Sequence, residues 1–275
     1  MHSVLVGDTL IFSVSDGRMI FDKSQFFSGI ENENWSDYSE YQGPHFEMNV
    51  GSFIIKTEKD VVLVDTGLGK LDHNIKQPER ETLVNEINSA GFSVSDFNIV
   101  FMTHLHLDHV GTNMTKTSEG WKPTFPNAKY MVSKNDWSHF SRMAKRKRFE
   151  YLNEQIQPLI DGGTLDLFDG ESKVTNEITT LPTPGHTPGH CSLLIASKGE
   201  KVVILGDAAH IPPQTHETDW SPSPDHDKKL SAESRNMVMT FIERENALLA
   251  SGHFPSPGFG NLLRVNSKRI FIPTT

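Results

Sequence analysis

Cysteine is nearly missing from this chain: Cys191 is the one thiol in 275 residues, so no internal disulfide can form and no thiolate metal site can be assembled. Any metal ion would have to be held by nitrogen and oxygen. Nor is there an apolar run approaching the ~18 residues needed to cross a bilayer. The opening residues, MHSVLVGDTLIFSV, lack the basic start, apolar centre and small-residue cleavage site of a secretory signal, so the expected location is cytoplasmic. Basic excess is absent as well. Twenty-six lysines and arginines stand against 35 aspartates and glutamates, a formal charge of -9. That balance argues against nucleic acid and against an anionic membrane surface, because phosphate binding needs a basic footprint. The run KRKR at Lys145 to Arg148 is the exception, and it reads as the solvated face of a helix, since Trp137, Phe140, Met143 and Phe149 surround it at near-helical spacing.

Short-period repeats and Gly/Ser linkers are also lacking, which predicts a single domain over residues 1–275. What is present is a succession of apolar strands. LIFSV at 10–14, GSFIIKT at 51–57 and VVLVDTG at 61–67 open the chain. ETLVNEINSAG at 81–91 sets Leu83, Val84, Ile87 and Ala90 on one helical face and leads into NIVFMT at 98–103. YMVS at 130–133 precedes helical material to about residue 160, and TLDLF, ITTLPT, CSLLIAS and VVILGD then read as strands. Ser231 is placed to cap a helix carrying Met237, Val238, Phe241 and Ile242, followed by ALLA and the loop SGHFPSPGFG. Two halves of strands followed by helices bury their apolar faces when the sheets stack and helices cover the outside, giving four layers. Residues 22–48 and 208–229 resist assignment and read as long loops.

Within FMTHLHLDHVG, His104, His106, Asp108 and His109 fall just past the apolar run NIVFM. On a continuing strand His104, His106 and Asp108 would share one side and Leu105 and Leu107 the other. A lone H-x-H is often a solvated edge. This cluster instead falls at the C-terminal end of a strand apolar on both faces, where α/β sheets carry their sites. Four such side chains in six residues diverge too much to reach one ion, whereas two ions could share them, His104 and His106 on one and Asp108 and His109 on the other. Each ion would then need ligands from other strand ends. His186 and His190 in TPGHTPGHCS, Asp207 after VVILG and His253 after ALLASG are the candidates.

THLHLDH, then TPGHTPGHCS, then GD after an apolar strand and a late GH together resemble the metallo-β-lactamase superfamily of hydrolases, and the likeness includes the early VVLVDTG. The resemblance implies an α/β (α+β) fold, a four-layer αβ/βα sandwich with its metal site between the ends of the two sheets. It implies two divalent metal ions, with His104, His106 and His190 on the first, Asp108, His109 and His253 on the second, and Asp207 bridging. It gives the second histidine of GHTPGH the ligand role and leaves His186 to brace the loop. Asp65 matches the strand-end aspartate implied to orient a ligand histidine, a role compatible with turn formation beside Thr66 and Gly67.

Imidazole and carboxylate donors suit zinc first, and manganese, iron or cobalt fit the same set. The implied chemistry is attack by a metal-bridging hydroxide, with Asp108 passing a proton to the leaving group. The layout is similar to the N-acyl homoserine lactone lactonases, the quorum-quenching branch, and to organophosphate hydrolases, so the expected activity is hydrolysis of a lactone or other ester. Those lactonases carry a tyrosine three residues after the bridging aspartate, and this chain has His210 there, either a hydrogen-bond donor to substrate or a surface loop histidine. A phosphotriesterase and an iron-dependent oxidoreductase such as a sulfur dioxygenase are the alternatives. The expected partner is a small-molecule substrate with an apolar part, without nucleic acid or membrane; a homodimer is compatible with the sequence. The aromatics Phe26, Phe27, Trp35, Tyr38 and Tyr41, with Trp121 and Trp220, either wall an apolar pocket or pack as loop core.

Overall fold

Successive strand residues face opposite ways, and in the central strands of this chain both ways are apolar. The computed structural model describes residues 2–71, 76–79 and 82–274. Its first half holds β1 (His2–Val6), β2 (Thr9–Asp22), α1 (Lys23–Phe26), β3 (His45–Lys56), β4 (Val61–Val64), β5 (Lys76–Glu79), α2 (Leu83–Ser89), β6 (Ile99–Phe101) and α3 (Leu107–Val110). Next come β7 (Met114–Thr117), β8 (Gly120–Pro123), β9 (Lys129–Ser133), α4 (Lys134–Phe140), α5 (Tyr151–Gln155), α6 (Gln157–Asp161) and β10 (Leu165–Phe168). The remainder is β11 (Ile178–Pro182), β12 (Cys191–Ser197), β13 (Glu200–Ile204), α7 (Lys228–Glu245), β14 (Leu248–Ala250), β15 (Phe259–Val265) and β16 (Lys268–Pro273).

One sheet runs β1-β2-β3-β4-β6-β9-β10 with β5 on β2, antiparallel as far as β4 and parallel from β4 onward. The other runs β11 to β16 in sequence order, antiparallel except where α7 carries the chain across between parallel β13 and β14. Phe53, Ile55, Val62, Val64 and Phe101 of the first sheet meet Leu193, Ile195, Val202 and Ile204 of the second in one buried cluster. Their strand neighbours point outward: Ile54, Leu63 and Val100 pack under Leu83 and Ile87 of α2 and under Phe140, Leu152 and Leu159 of α4 to α6. On the far side Val203 and Leu249 pack under Val238, Met239 and Ile242 of α7. Each fully buried aliphatic or aromatic side chain contributes about 1.5–3 kcal/mol relative to exposure. The four-layer αβ/βα sandwich follows from apolar residues on both strand faces.

The structure departs from the sequence expectations at several points. The strand expected over 98–103 ends at Phe101, so His104 to His106 lie in a loop and Asp108 and His109 in the short turn α3; strand alternation does not arrange them. Asp227, not Ser231, caps α7, its carboxylate accepting the Leu230 N–H at 3.0 Å. KRKR lies in turns and a 3-10 segment, Lys147–Phe149, rather than on a helix, though its four side chains are exposed as expected. The first residue of the expected helix over 81–91, Glu81, lies outside the described residues. Both long segments carry local order, with 3-10 turns at Asn32–Trp35, Ser39–Tyr41 and Pro212–Thr215. No helix among the described residues is long and apolar enough to cross a membrane.

Candidate metal centre

The sheets deliver polar residues from the C-terminal ends of their parallel strands. Asp65 follows β4, His104 and His106 follow β6, Asp207 follows β13 and His253 follows β14, while the turn 183–190 enters just before β12. Two donor groups result, one of His104, His106, His186 and Asp207, the other of Asp108, His109 and His253. In the first, His106 Nδ1 lies 3.0 Å from His104 Nε2 and 2.9 Å from His186 Nε2. Asp207 connects the two groups. Its Oδ2 is 3.1 Å from His186 Nε2, and its Oδ1 is 3.1 Å from both His109 Nε2 and His253 Nε2. Asp108 Oδ2 stands 3.6 Å from the same nitrogens of His109 and His253.

The outward nitrogens are tied down. His109 Nδ1 meets Asp65 Oδ2 at 2.9 Å, His253 Nδ1 donates to Asn49 O at 2.8 Å, and His186 Nδ1 meets Asp225 Oδ1 at 2.8 Å. An imidazole anchored this way keeps its other nitrogen aimed inward. Asp65 also accepts the Thr103 N–H and hydroxyl at 2.8 Å each, and it sits at a φ of 62°, in the left-handed region. Strain of roughly 1–3 kcal/mol at such a residue persists only where its surroundings hold it; here the three hydrogen bonds do so.

His190 and His186 exchange the places expected of them. His190 Nδ1 donates to Thr183 O at 3.0 Å, and its Nε2 accepts the backbone N–H of Asp207 at 2.8 Å. With both nitrogens committed, His190 stands outside the two donor groups and braces the backbone of Asp207. Gly206 makes this approach feasible: at a φ of +56° it carries no Cβ, and one built there would stand 2.6 Å from His190 Nε2. The residue expected to brace, His186, faces the centre.

Three supporting residues escaped the sequence reading. Asp225 anchors His186, and Arg235 lies fully buried behind it. Asp136 accepts the N–H of Leu105 at 2.8 Å and of Gly189 at 2.9 Å, joining the two histidine-bearing loops. A charged residue one helical turn from Val238 and Met239 on the buried face of α7, as Arg235 is, was the available signal.

Burial and crowding by neighbouring histidines push His104 and His106 well below the ordinary imidazole value, so both rings are neutral. Burial lowers His186 as well, but the Asp207 and Asp225 carboxylates outweigh it and hold the group up at about 9. Burial would raise Asp207, yet His109, His253, His104 and His186 keep it well below the carboxylate range. His109 Nε2, His253 Nε2 and Asp207 Oδ1 are buried and complete no hydrogen bond. An ionised carboxylate ringed by imidazole nitrogens, some of them buried without a hydrogen bond, fits divalent ions that accept nitrogen and oxygen ligands.

His210 is buried rather than on the surface, its Nε2 3.2 Å from Asp207 Oδ2 and neither nitrogen completing a hydrogen bond. Phe26 packs edge-on against it with ring centroids 5.5 Å apart. Phe26, Phe27, Trp35 and Trp220 form a buried aromatic cluster beside the centre, so these residues are loop core. Tyr38 and Tyr41 line a cavity of about 580 Å³ with Pro212, Pro213, Pro255 and Phe271. Trp121 lies on β8 against the helical core and belongs to neither.

The chain matches the family model described as metallo-beta-lactamase superfamily over residues 47–253. It is 24% identical over 258 residues to the N-acyl homoserine lactonase AiiA of Bacillus thuringiensis subsp. kurstaki, covering 88% of this chain and 92% of that one. With the N-acyl homoserine lactonase AttM of Rhizobium radiobacter it shares 28% identity over 179 residues, 62% of this chain and 64% of the relative. Among solved structures, AidC, a dizinc quorum-quenching lactonase bound to product, superposes with a TM-score of 0.83 at 23% identity, covering 100% of this chain and 97% of the other. The hydrolase AbOPH superposes with a TM-score of 0.85 at 23% identity over the same shares.

Proposed function

Since the chain belongs to the metallo-beta-lactamase superfamily, we propose that this metal-dependent hydrolase opens a lactone or other ester bond, with N-acyl homoserine lactones the first substrates to test. The observation that carries the reading is Asp207, which turns one carboxylate oxygen to His186 and the other to His109 and His253. One ion would be held by His104, His106, His186 and Asp207, and the other by Asp108, His109, His253 and Asp207. Bound there, two divalent ions, zinc foremost, supply Lewis acidity toward an acyl oxygen and lower the pKa of a water to about 7.

The chain's own groups do the rest. Asp108 is partly exposed, its side chain 13%, and can take up a proton and deliver it to the leaving oxygen. Burial pushes His210 down to about 4, so a neutral ring is available to donate a hydrogen bond to substrate oxygen. Aromatic packing by Phe26 holds that ring in place. The cavity lined by Tyr38, Tyr41, Pro212, Pro213 and Pro255, with Asp37, Glu40, Lys268 and Arg269 also in its wall, lies along the segments leaving His210 and His253 and has the size for an acyl or aryl group.

The test combines metal analysis of the purified protein with a hydrolysis panel of acyl homoserine lactones, aryl esters and phosphotriesters. Two bound ions and turnover of lactones or esters are expected. Exclusive turnover of phosphotriesters, or bound iron with oxygen uptake and no hydrolysis, would replace the reading. Full activity and two retained ions in Asp207→Ala would end the two-metal mechanism.

A further inference from the structure

We propose that Arg235 is a positioning residue for the metal centre, acting on His186 through Asp225 and on Asp207 through the carbonyl of Ala208. The proposal rests on the two-metal reading of the centre. Arg235 projects from α7 and is 0% exposed. Its guanidinium reaches in several directions at once: Nε donates to Ala208 O at 2.6 Å, Nη1 to Thr218 O at 2.7 Å, and Nη2 to Asp225 Oδ2 at 3.3 Å and Ser231 Oγ at 3.0 Å.

Two of these contacts lead to the donor group. Asp225 divides its carboxylate, Oδ2 toward Arg235 and Oδ1 toward His186 Nδ1 at 2.8 Å. An ionised carboxylate only accepts, so His186 Nδ1 carries a proton and Nε2 is the nitrogen left to face Asp207, 3.1 Å away. Ala208 directly follows Asp207, so the Nε contact fixes the backbone just beyond the carboxylate shared by both groups. The Thr218 contact, in turn, steadies the segment between His210 and Asp225.

The surrounding backbone reinforces the link. His226 N donates to His186 O at 3.0 Å and Asp227 N to Gly185 O at 2.9 Å, while Ser234 Oγ donates to Pro184 O at 2.6 Å. The start of α7 is thereby laced to the turn that carries His186. Those bonds set the position of the turn. The charge and the planar fork of Arg235 set the orientation of the ring within it.

Lysine cannot replace this arrangement. Its three donors spring from one nitrogen, whereas the guanidinium spreads five over a rigid plane. A buried arginine is also costly to desolvate, and its one carboxylate partner among the hydrogen bonds is the carboxylate that anchors His186.

The experiment titrates cobalt(II) into metal-free wild type, Arg235→Lys, Asp225→Asn and the double variant, following the visible absorption of bound cobalt, with melting of each metal-free protein alongside. Wild type is expected to take up two ions. In Arg235→Lys and Asp225→Asn, affinity for one ion should fall about 10–100-fold, the usual effect of losing an outer partner of a ligand. In Asp225→Asn the other ion should bind as in wild type, whereas Arg235→Lys, which also loses the Ala208 contact beside the shared Asp207, should weaken it by a smaller factor. The double variant should be no weaker than Arg235→Lys alone, because the route through Asp225 and the His186 ring is one of the two that Arg235 already supplies. Should Arg235→Lys fail to fold, Asp225→Asn, which matches aspartate in shape, carries the test.

Unchanged cobalt affinity in variants that merely melt earlier would overturn the proposal, as would independent, multiplying losses in the double variant. If wild type itself takes up no cobalt, the two-metal reading fails first and takes this one with it. Two ions in wild type with unchanged affinity in the variants remove only the role of Arg235.

Discussion

His190 holds the backbone of Asp207: the aspartate N–H donates to His190 Nε2 at 2.8 Å, while His186 Nε2 faces the same aspartate's carboxylate at 3.1 Å. The two histidines of GHTPGH thus grip one residue from opposite chemical sides. Glutamine at either position separates them. His190→Gln retains a carbonyl oxygen to accept the Asp207 N–H and is expected to keep two ions with modest loss of stability. His186→Gln should hold only one ion tightly and lose about a hundredfold or more in activity, a direct ligand counting for at least as much as its outer partners. Metal-to-protein ratios after dialysis decide it, and equal retention in both variants would refute the assignment.

His210 makes a kinetic prediction. His210→Phe fills the space beside Phe26 but removes the donor near Asp207. With metal content unchanged, kcat should fall by about 10²–10³, the usual effect of losing one hydrogen-bond donor to developing negative charge. KM should move little. His210→Tyr, which restores a hydroxyl donor, should recover part of the loss; a His210→Phe enzyme with wild-type kcat would remove His210 from the reaction.

Asp136 predicts a pH dependence of stability. Burial raises its carboxyl to about 6 from 3.8, and the N–H groups of Leu105 and Gly189 only partly offset it. The folded value lies above the unfolded one, so the native state binds the proton more tightly. The resulting stabilisation is fully present below about pH 4 and is lost as pH rises through about 6, by an amount on the order of 3 kcal/mol. Urea unfolding of the metal-free chain across that window should show this slope in wild type and its loss in Asp136→Asn. Identical slopes in the two proteins would show that Asp136 does not carry it.

Much of the architecture was legible locally. Apolar residues at consecutive positions in VVLV, NIVF and VVIL demand burial on both faces, and that alone requires stacked sheets under helices. The polar residues that follow those runs, His104, His106 and Asp207 among them, meet His253 from the end of β14 because parallel strands end at one edge of the sandwich. The helical turn that places Asp108 and His109 was not legible, since LDHV reads equally as strand.

By itself the sequence determined which strands would be buried and which side chains could serve as donors, since burial on both faces is read from neighbours in the chain. It did not determine which nitrogen of which histidine would face inward. That depended on partners far along the chain. Asp225 accepts the hydrogen bond of His186 Nδ1, while Thr183 O and the Asp207 N–H occupy both sides of His190. An imidazole's direction is set by what its second nitrogen meets, and only the packed tertiary structure supplies that partner.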